Sequence, residues 1–455
     1  MRAEFIGTEG RVLLDTVRRL YRRNAWGALS KALSKIHPGE LAWIFRHLTG
    51  KERREIFAIL LQSENIGDFI SELDRSIQVE LFLPLELPAM AQVITSMSPD
   101  DQADLLEELP EDIREQVLKK MEREDAAEVQ ELLQYGPETA GGIMSPDFMA
   151  VTGEMKVAEA IEKVQQLSEE AEMAFYLYVV DDQQKLQGVV SLRQLLMNSA
   201  DKQLDAIMET DVVAVSMETD QEQVAQIVSR YNILAIPVID HDDVMLGIVT
   251  IDDIVDVIRE EATEDFLRMV GAGRDREILL KSTMQNALTR LPWLLASWIG
   301  GVLAMSVISS FSAELSQVIL LAGFIPVITG MGGNIGTQSS TITIRGLATG
   351  RININETGKY ISKQIKVGLL LGGLFGVMLG LLTWLLYANV QLGLVVALAI
   401  GASMLISTLL GTIVPIILRR LDVDPAVATG PFVTTTTDVF GVAIYFMLAK
   451  ELLAL

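Results

Sequence analysis

The stretch AVATGPFVTTTTDVFGVAIYFMLA, Ala426 to Ala449, runs 24 residues with one charge, Asp438, near its middle. A helix that crosses a bilayer needs about 20 apolar residues, so this stretch reads as a membrane span with an acid at mid-depth. Working outward, three uncharged runs precede it: Leu291 to Ala313, Leu315 to Ile344 and Val367 to Leu418. The last is too long for one helix. Its segment Ala388-Asn-Val-Gln-Leu-Gly393 supplies a polar turn that divides it, so five spans are expected.

The rest of the chain is different. The 455 residues are half hydrophobic, with a mean hydropathy of +0.33, yet the formal net charge is −23. From Gln285 onward nine bases outweigh six acids, so that tail is +3 and the first 284 residues hold −26. An acidic soluble half is joined to an apolar half. That surface argues against nucleic acid, whose phosphates need clustered Lys and Arg. The absence of cysteine excludes disulfides, thiolate metal sites and a Cys nucleophile, and three histidines leave little room for a His-based metal centre. MRAEFIGTEG contains no apolar run, so no cleavable signal peptide is expected.

Loop charges predict an orientation. With the acidic half in the cytosol, Arg290, Arg345, Arg351, Lys359, Lys363, Lys366, Arg419 and Arg420 all fall inside, and Glu314 and the short tail with Lys450 and Glu451 fall outside. This obeys the positive-inside rule. It predicts a multi-pass protein of the plasma (cell inner) membrane with a cytosolic N-terminus and an external C-terminus. Gly368, Gly372, Gly376 and Gly380 recur every four residues in the third span, a pattern that lets helices pack closely.

Within the acidic half, Asn24 to Tyr135 has apolar positions at helical spacing, as in Leu105, Leu106, Leu109, Ile113, Val117, Leu118 and Met121. Breaks such as Met97-Ser-Pro-Asp-Asp101 fit helix N-termini, and the whole reads as a small solenoid of stacked helical hairpins. A repeat follows: Met144-Ser-Pro-Asp147 with Ala150-Val151 returns as Met208-Glu-Thr-Asp211 with Ala214-Val215. Each copy runs through a helix into an apolar strand, Phe175 to Val180 and Ala235 to Ile239. A Gly-led strand follows, Gly188 to Ser191 and Gly247 to Thr250, and a helix closes each copy. This βαββα repeat resembles a pair of CBS domains, which often bind adenine nucleotides through Gly-x-x-Ser/Thr-x-x-Asp. The second copy has Gly247, Thr250 and Asp253, but the first has Gly188, Ser191 and Gln194 where the acid belongs, which makes ATP doubtful.

From Asp252 to Asp265 seven acids stand beside one base, Arg259, just ahead of the first span, with Gly271 and Gly273 loosening the junction. Carboxylates three or four apart on one helix face repel, and a divalent cation would compensate them. In the membrane, an ionisable residue normally lines a water-filled path. No span interior offers a base to Asp438, and Arg290 lies at a span end. The second span carries Gly330-Met-Gly-Gly-Asn334-Ile-Gly-Thr-Gln338-Ser-Ser340, which lacks the Lys of a phosphate loop and could turn Asn334 toward the same path. Oxygen ligands alone select hard cations such as Mg2+, Ca2+ or Mn2+. Mg2+ sheds its waters reluctantly, so one carboxylate per chain in a wide site suits a hydrated ion, with two chains sharing an axis.

The order of parts resembles the MgtE family of magnesium channels over nearly the whole chain. The most specific motifs are Gly330 to Gln338, Leu421-Asp-Val-Asp-Pro-Ala426 and Pro431 to Asp438. The resemblance implies a multidomain membrane protein with four parts: an all-α N domain (1–137), an α/β CBS pair (138–200 and 201–251), a connecting "plug" helix (252–284) and a five-helix transmembrane domain (285–455). It implies a homodimer with its pore on the twofold axis. Asp438 would hold hydrated Mg2+, Asn334 would line the pore, and Gly430 and Thr434 would lend carbonyls. Sensing acids would be Asp100, Asp104, Glu222, Asp253, Asp256, Glu261, Glu264, Asp265 and Asp424, with Asp68 a weaker match. One further family acid falls on Asn232 here. Cytosolic Mg2+ would bridge these acids and close the pore, and its loss would let them repel and open it. No nucleophile or hydrolytic motif points to an enzyme. A carrier coupled to Na+ or H+, or a CBS-regulated sensor that transports nothing, are the alternatives from other classes.

Overall fold

A computed structural model describes residues 5–63, 65–167, 175–270, 283–353, 356–421, 423–428 and 430–454. It divides into two compact units, Met1–Ile258 and Arg259–Leu455.

The first unit opens with ten helices: α1 (Phe5–Arg22), α2 (Trp26–Leu33), α3 (Pro38–His47), α4 (Gly50–Leu60), α5 (Ile66–Ser71), α6 (Arg75–Phe82), α7 (Leu87–Ile94), α8 (Pro99–Glu108), α9 (Glu111–Leu118) and α10 (Arg123–Leu132). Caps start several of them. Thr49 and Glu52 form a reciprocal capping box at α4, and Pro occupies the first helical position of α3 and α8. From α1 to α10 each helix packs on the next but one, the arrangement of a solenoid. Buried Phe45, Phe57, Phe69 and Phe82 line its core, Phe45 meeting Phe69 edge-on with centroids 4.7 Å apart. Ion pairs tie successive layers: Arg46 to Asp74 at 2.9 Å, Arg53 to Glu80 at 2.8 Å and Arg75 to Asp104 at 2.7 Å. At Gly67 the chain comes so close to the next layer that a Cβ would lie 1.9 Å from the Ser96 carbonyl oxygen.

The repeat folds as two three-stranded sheets. In the first, β1 (Ala150–Val151) pairs parallel with β2 (Tyr176–Val180), which pairs antiparallel with β3 (Leu186–Ser191). In the second, β4 (Val215–Ser216), β5 (Ala235–Ile239) and β6 (Met245–Thr250) repeat that order and register. Helices α11 (Val157–Leu167) and α12 (Leu192–Met197) serve the first copy, and α13 (Gln221–Tyr231) and α14 (Ile251–Met269) the second. The lead-in of each copy crosses to the other. Ser145 exchanges backbone hydrogen bonds of 2.8 and 2.9 Å with Ile248 in β6, and Glu209 exchanges two of 2.9 Å with Val189 in β3. That crossing explains the glycines: a Cβ on Gly247 would lie 2.6 Å from the Ser145 carbonyl oxygen, and one on Gly188 2.7 Å from Met208 Sδ.

Among its described residues the second unit holds five helices long and apolar enough to cross a membrane: α15 (Thr283–Ser310), then, after the short α16 (Ser312–Gln317), α17 (Leu320–Ala348), α18 (Thr357–Tyr387), α19 (Val390–Arg420) and α20 (Pro431–Leu453). The expected split of the long apolar run is present. Ala388 turns left-handed at φ 54° and Asn389 caps α19 through the Leu392 N–H. The uncharged run from Leu315 does not all enter a span, because its first residues close α16. Helix α19 is central, packing on α17, α18 and α20. The glycine stripe is a packing surface, as its spacing predicts: Cβ atoms on Gly372 and Gly376 would lie 2.8 and 2.6 Å from the carbonyl oxygens of Gly401 and Ala397 in α19. Gly271 and Gly273 lie outside the described residues.

Candidate ion site and acidic junction

Helix α20 begins at Pro431 behind Gly430, and Gly430, Thr434 and Asp438 follow one another at four-residue steps, so they share one face. Asp438 is half-buried and makes no hydrogen bond or ion pair among the described residues. The four threonine hydroxyls give their protons back to the helix. Thr434 donates to the Gly430 carbonyl at 3.3 Å, Thr435 and Thr436 to Phe432 at 3.3 and 2.7 Å, and Thr437 to Thr434 at 2.9 Å. The hydroxyl oxygens keep lone pairs, so this face is rich in acceptors. Water on a cation turns its hydrogens outward and needs such acceptors. The Gly430 carbonyl accepts both the N–H and the hydroxyl of Thr434, and the Thr434 carbonyl accepts the Thr437 hydroxyl.

Helix α17 reaches α20 through its glycines. A Cβ on Gly336 would lie 3.0 Å from Val433 and 3.2 Å from Thr437, and one on Gly333 3.9 Å from Thr434. Asn334 follows Gly333, at the edge of that contact, and is exposed. Gln338, Thr341 and Arg345 are exposed too, at spacings that place all four on one stripe of α17. The exposed face of α18 is instead Leu369, Leu370, Leu374, Val377, Met378 and Leu381. Only the second face is chemically like lipid. The sequence reading singled out Asn334 and missed the stripe, although its i, i+4, i+7, i+11 spacing is the signal that would have found it.

The expected sensing acids are spread over both units, and among the described residues no three ligands gather into a metal-like cluster. Asp68 is exposed in the first turn of α5. Asp100 is buried in the first turn of α8. Asp104, one helical turn on, is held by Arg75. Between them Asp101, read from sequence as part of a helix N-terminus and not as a sensing acid, accepts from Ser98 at 3.0 Å. Burial pushes its carboxyl above the ordinary range; the Ser71 and Ser98 hydroxyls and Arg75 draw it back, and the negative charge of Asp256 raises it further. Asp256 therefore lies near the first turn of α8, a proximity that no local pattern encodes.

Glu222 sits in the first turn of α13 and accepts from Gln226 at 3.4 Å. Asp253 hydrogen-bonds the Thr250 hydroxyl at the start of α14. The corresponding residue of the first copy, Gln194, does the same work: its Oε1 accepts the Ser191 N–H at 2.7 Å and the Ser191 hydroxyl at 2.8 Å, and its amide donates to the Ile207 carbonyl at 3.3 Å. The motif position is thus a helix cap in both copies. Asn232, where the family has an acid, ends α13 at φ 52°, the left-handed conformation that Asn tolerates well.

Further along α14, Glu261 and Asp265 share a face one turn apart. Burial raises the Asp265 carboxyl and Glu261 raises it further, while Arg345 and Arg419 draw it down. The second half of α14 therefore lies near the basic ends of α17 and α19. Glu264 and Asp424 meet through Arg268, whose guanidinium contacts both carboxylates. The other Asp424 oxygen holds the Ala426 N–H at 2.8 Å. Uncompensated repulsion was expected along this helix. At these two acids the chain supplies its own cation, from a residue three positions beyond the acidic run. At the opposite end of the spans, Lys450 of α20 pairs with Glu314 of α16 at 3.0 Å.

Family profiles match three parts of the chain: "MgtE intracellular N domain" over residues 36–138, CBS domains over 140–201 and 204–260, and "Divalent cation transporter" over 325–448. The magnesium transporter MgtE of Bacillus subtilis is 35% identical over 417 residues, covering 92% of both chains. The chain belongs to the MgtE family of magnesium transporters. The Thermus thermophilus MgtE is 34% identical over 94% of this chain and 95% of its own. Among solved structures, the soluble part of a magnesium transporter matches at 30% identity with a TM-score of 0.51, covering 56% of this chain and 99% of that one. The cytosolic domain of the Mg2+ channel MgtE in complex with ATP matches at 31% and 0.52, covering 54% and 99%. Membership fits a helical N domain, a CBS pair and five apolar helices in one MgtE chain.

Proposed function

We propose that this MgtE chain is a Mg2+-selective channel that admits hydrated Mg2+ to the cytosol, and that cytosolic Mg2+ closes it. The observation that carries the reading is Asp438: a half-buried carboxylate in a span helix, with no basic partner among the described residues. A charge at mid-membrane costs roughly 2.5–3.5 kcal/mol or more, so its retention without a counter-charge fits a place for a mobile cation. The acceptor-rich threonine face, Asn334 beside it, and the Gly430 and Thr434 carbonyls suit the outward hydrogens of a hydrated ion.

The active form is a homodimer. The polar stripe from Asn334 to Arg345 would be costly against lipid, and a second copy across a twofold axis would cover it and bring two Asp438 carboxylates to one divalent charge. The acidic half faces the cytosol and the C-terminus the outside, because α14 and the bases at the ends of α17, α18 and α19 then share the inner side. Sensing Mg2+ binds at Asp100, Asp104, Asp253 and Asp256 of the first unit and at Glu261, Glu264, Asp265 and Asp424 of the second, with Asp68 and Glu222 as further ligands. The Asp101–Asp256 approach fits such an ion, since a divalent cation there would offset the repulsion that raises the Asp101 carboxyl. Gln194 cannot supply the acceptor pair of a carboxylate to a ribose, which places ATP in the first CBS copy at a disadvantage.

Single-channel recording of the reconstituted protein tests the transport class. Unitary openings that close as internal Mg2+ rises are expected; strictly Na+- or proton-coupled flux without unitary current would instead establish a carrier.

A further inference from the structure

Glu264 is 5% exposed and Arg268 9%. Glu264 and Arg268 lie one turn apart in α14, whereas Asp424 comes from the loop ahead of α20. One guanidinium nitrogen, Nη2, meets Glu264 Oε1, and the other, Nη1, meets Asp424 Oδ2. The fork is planar and always charged, which suits it to hold two carboxylates in fixed relation. Asp424 cannot turn away freely, because its Oδ1 is held by the Ala426 N–H. Arg268 also stands in the last turn of α14, where a positive charge is favoured.

We propose that Arg268 is a positioning residue and the resident counter-cation of this junction: it preassembles Glu264 and Asp424, and a divalent cation can take those carboxylates only by displacing its guanidinium. The inference rests on the reading of these acids as Mg2+ sensors. The chemistry is exclusion. A metal ion bridging both carboxylates would lie against the guanidinium that already bridges them, and two cations so close repel. Two consequences follow. Without Mg2+ the end of α14 stays joined to the loop before α20, so the junction does not fall fully apart. With Mg2+ the ion must compete, so the sensor responds at a higher concentration than two bare carboxylates would.

Hydrogen exchange on the full-length protein in lipid nanodiscs tests both, with residues 259–269 and 423–428 as reporters. In EDTA the wild type is protected there. Arg268→Gln is expected to exchange about fivefold faster in EDTA and to regain protection on MgCl2 titration at a midpoint about threefold lower than wild type. Arg268→Lys should keep the EDTA protection, since it keeps a cation. A purely structural Arg268 would give a raised midpoint on removal, and an unchanged EDTA rate or an unchanged or raised midpoint overturns the proposal. Should Arg268→Gln lose protection in β5 as well, and so fail to fold, the Glu264→Gln/Asp424→Asn pair serves: it must lose EDTA protection at the junction, and retention overturns the proposal. If MgCl2 protects neither segment in wild type, the sensor reading fails, while the EDTA comparison still judges Arg268.

Discussion

Asp438 in α20 and the Glu264–Asp424 pair beside the end of α14 are acids of one compact unit, yet the chain treats them in opposite ways. The junction pair is met by Arg268. Asp438 meets no base among the described residues, although bases cluster at the ends of α17, α18 and α19. A buried ion pair neutralises itself and holds two segments together, and breaking it leaves a stranded charge. An unpaired acid leaves a vacancy for a cation that comes and goes. Asp101 is a third case, a carboxyl raised by burial and by the charge of Asp256 while two serine hydroxyls and Arg75 draw it down. Counter-charge therefore separates an acid left open to a transported ion from acids that a resident cation already holds, more sharply than position in the sequence does.

The largest effect should come from the unpaired acid. Asp438→Ala is expected to reduce Mg2+ uptake to background and to fail to rescue a Mg2+-auxotrophic bacterium that wild type rescues; equal rescue would remove Asp438 from the ion path. Next, Asp253, Asp256 and Glu264 changed together to Ala should leave inward current flowing at high internal Mg2+. Unchanged inhibition in patch recordings would refute the sensing role of these acids. The smallest effect concerns Asp101. Because burial and Asp256 raise the Asp101 carboxyl, the folded state holds its proton more tightly than the unfolded chain. The destabilisation is present above the shifted value and is relieved as pH falls through it toward the ordinary carboxylate range. The melting temperature of the full chain's cytosolic part should accordingly rise on mild acidification in EDTA, and Asp101→Asn should flatten that rise. An equally steep rise in the variant would show that other acids carry it.

Much of this fold is legible in the sequence, because its signals are local. Uncharged runs gave the spans, Ala388 and Asn389 the break between α18 and α19, and a repeated motif the two sheets. The glycine stripe follows from helical spacing alone. What escaped was set by contacts between distant residues. Arg268 lies just past the acidic run and acquires its meaning only when Asp424 arrives. Asp101 became conspicuous through Ser71 and Asp256 on other helices. Gln194 reads as a lost ligand in sequence, whereas its geometry makes it a helix cap equivalent to Asp253.

The exchange of lead-in segments between the two CBS copies has a kinetic consequence. Ser145 finds its partner Ile248 only after about a hundred further residues have been made, which at roughly 5–20 residues per second is several seconds on the ribosome. During that interval the segment around Met144 has no strand to join, although the first copy can already close its own sheet of β1, β2 and β3. The pair should therefore lock in a single late step, once β6 has emerged and just before the apolar spans begin to leave the exit tunnel. A truncation that ends before Met245 would leave the Ser145 lead-in without its strand and the second sheet without β6.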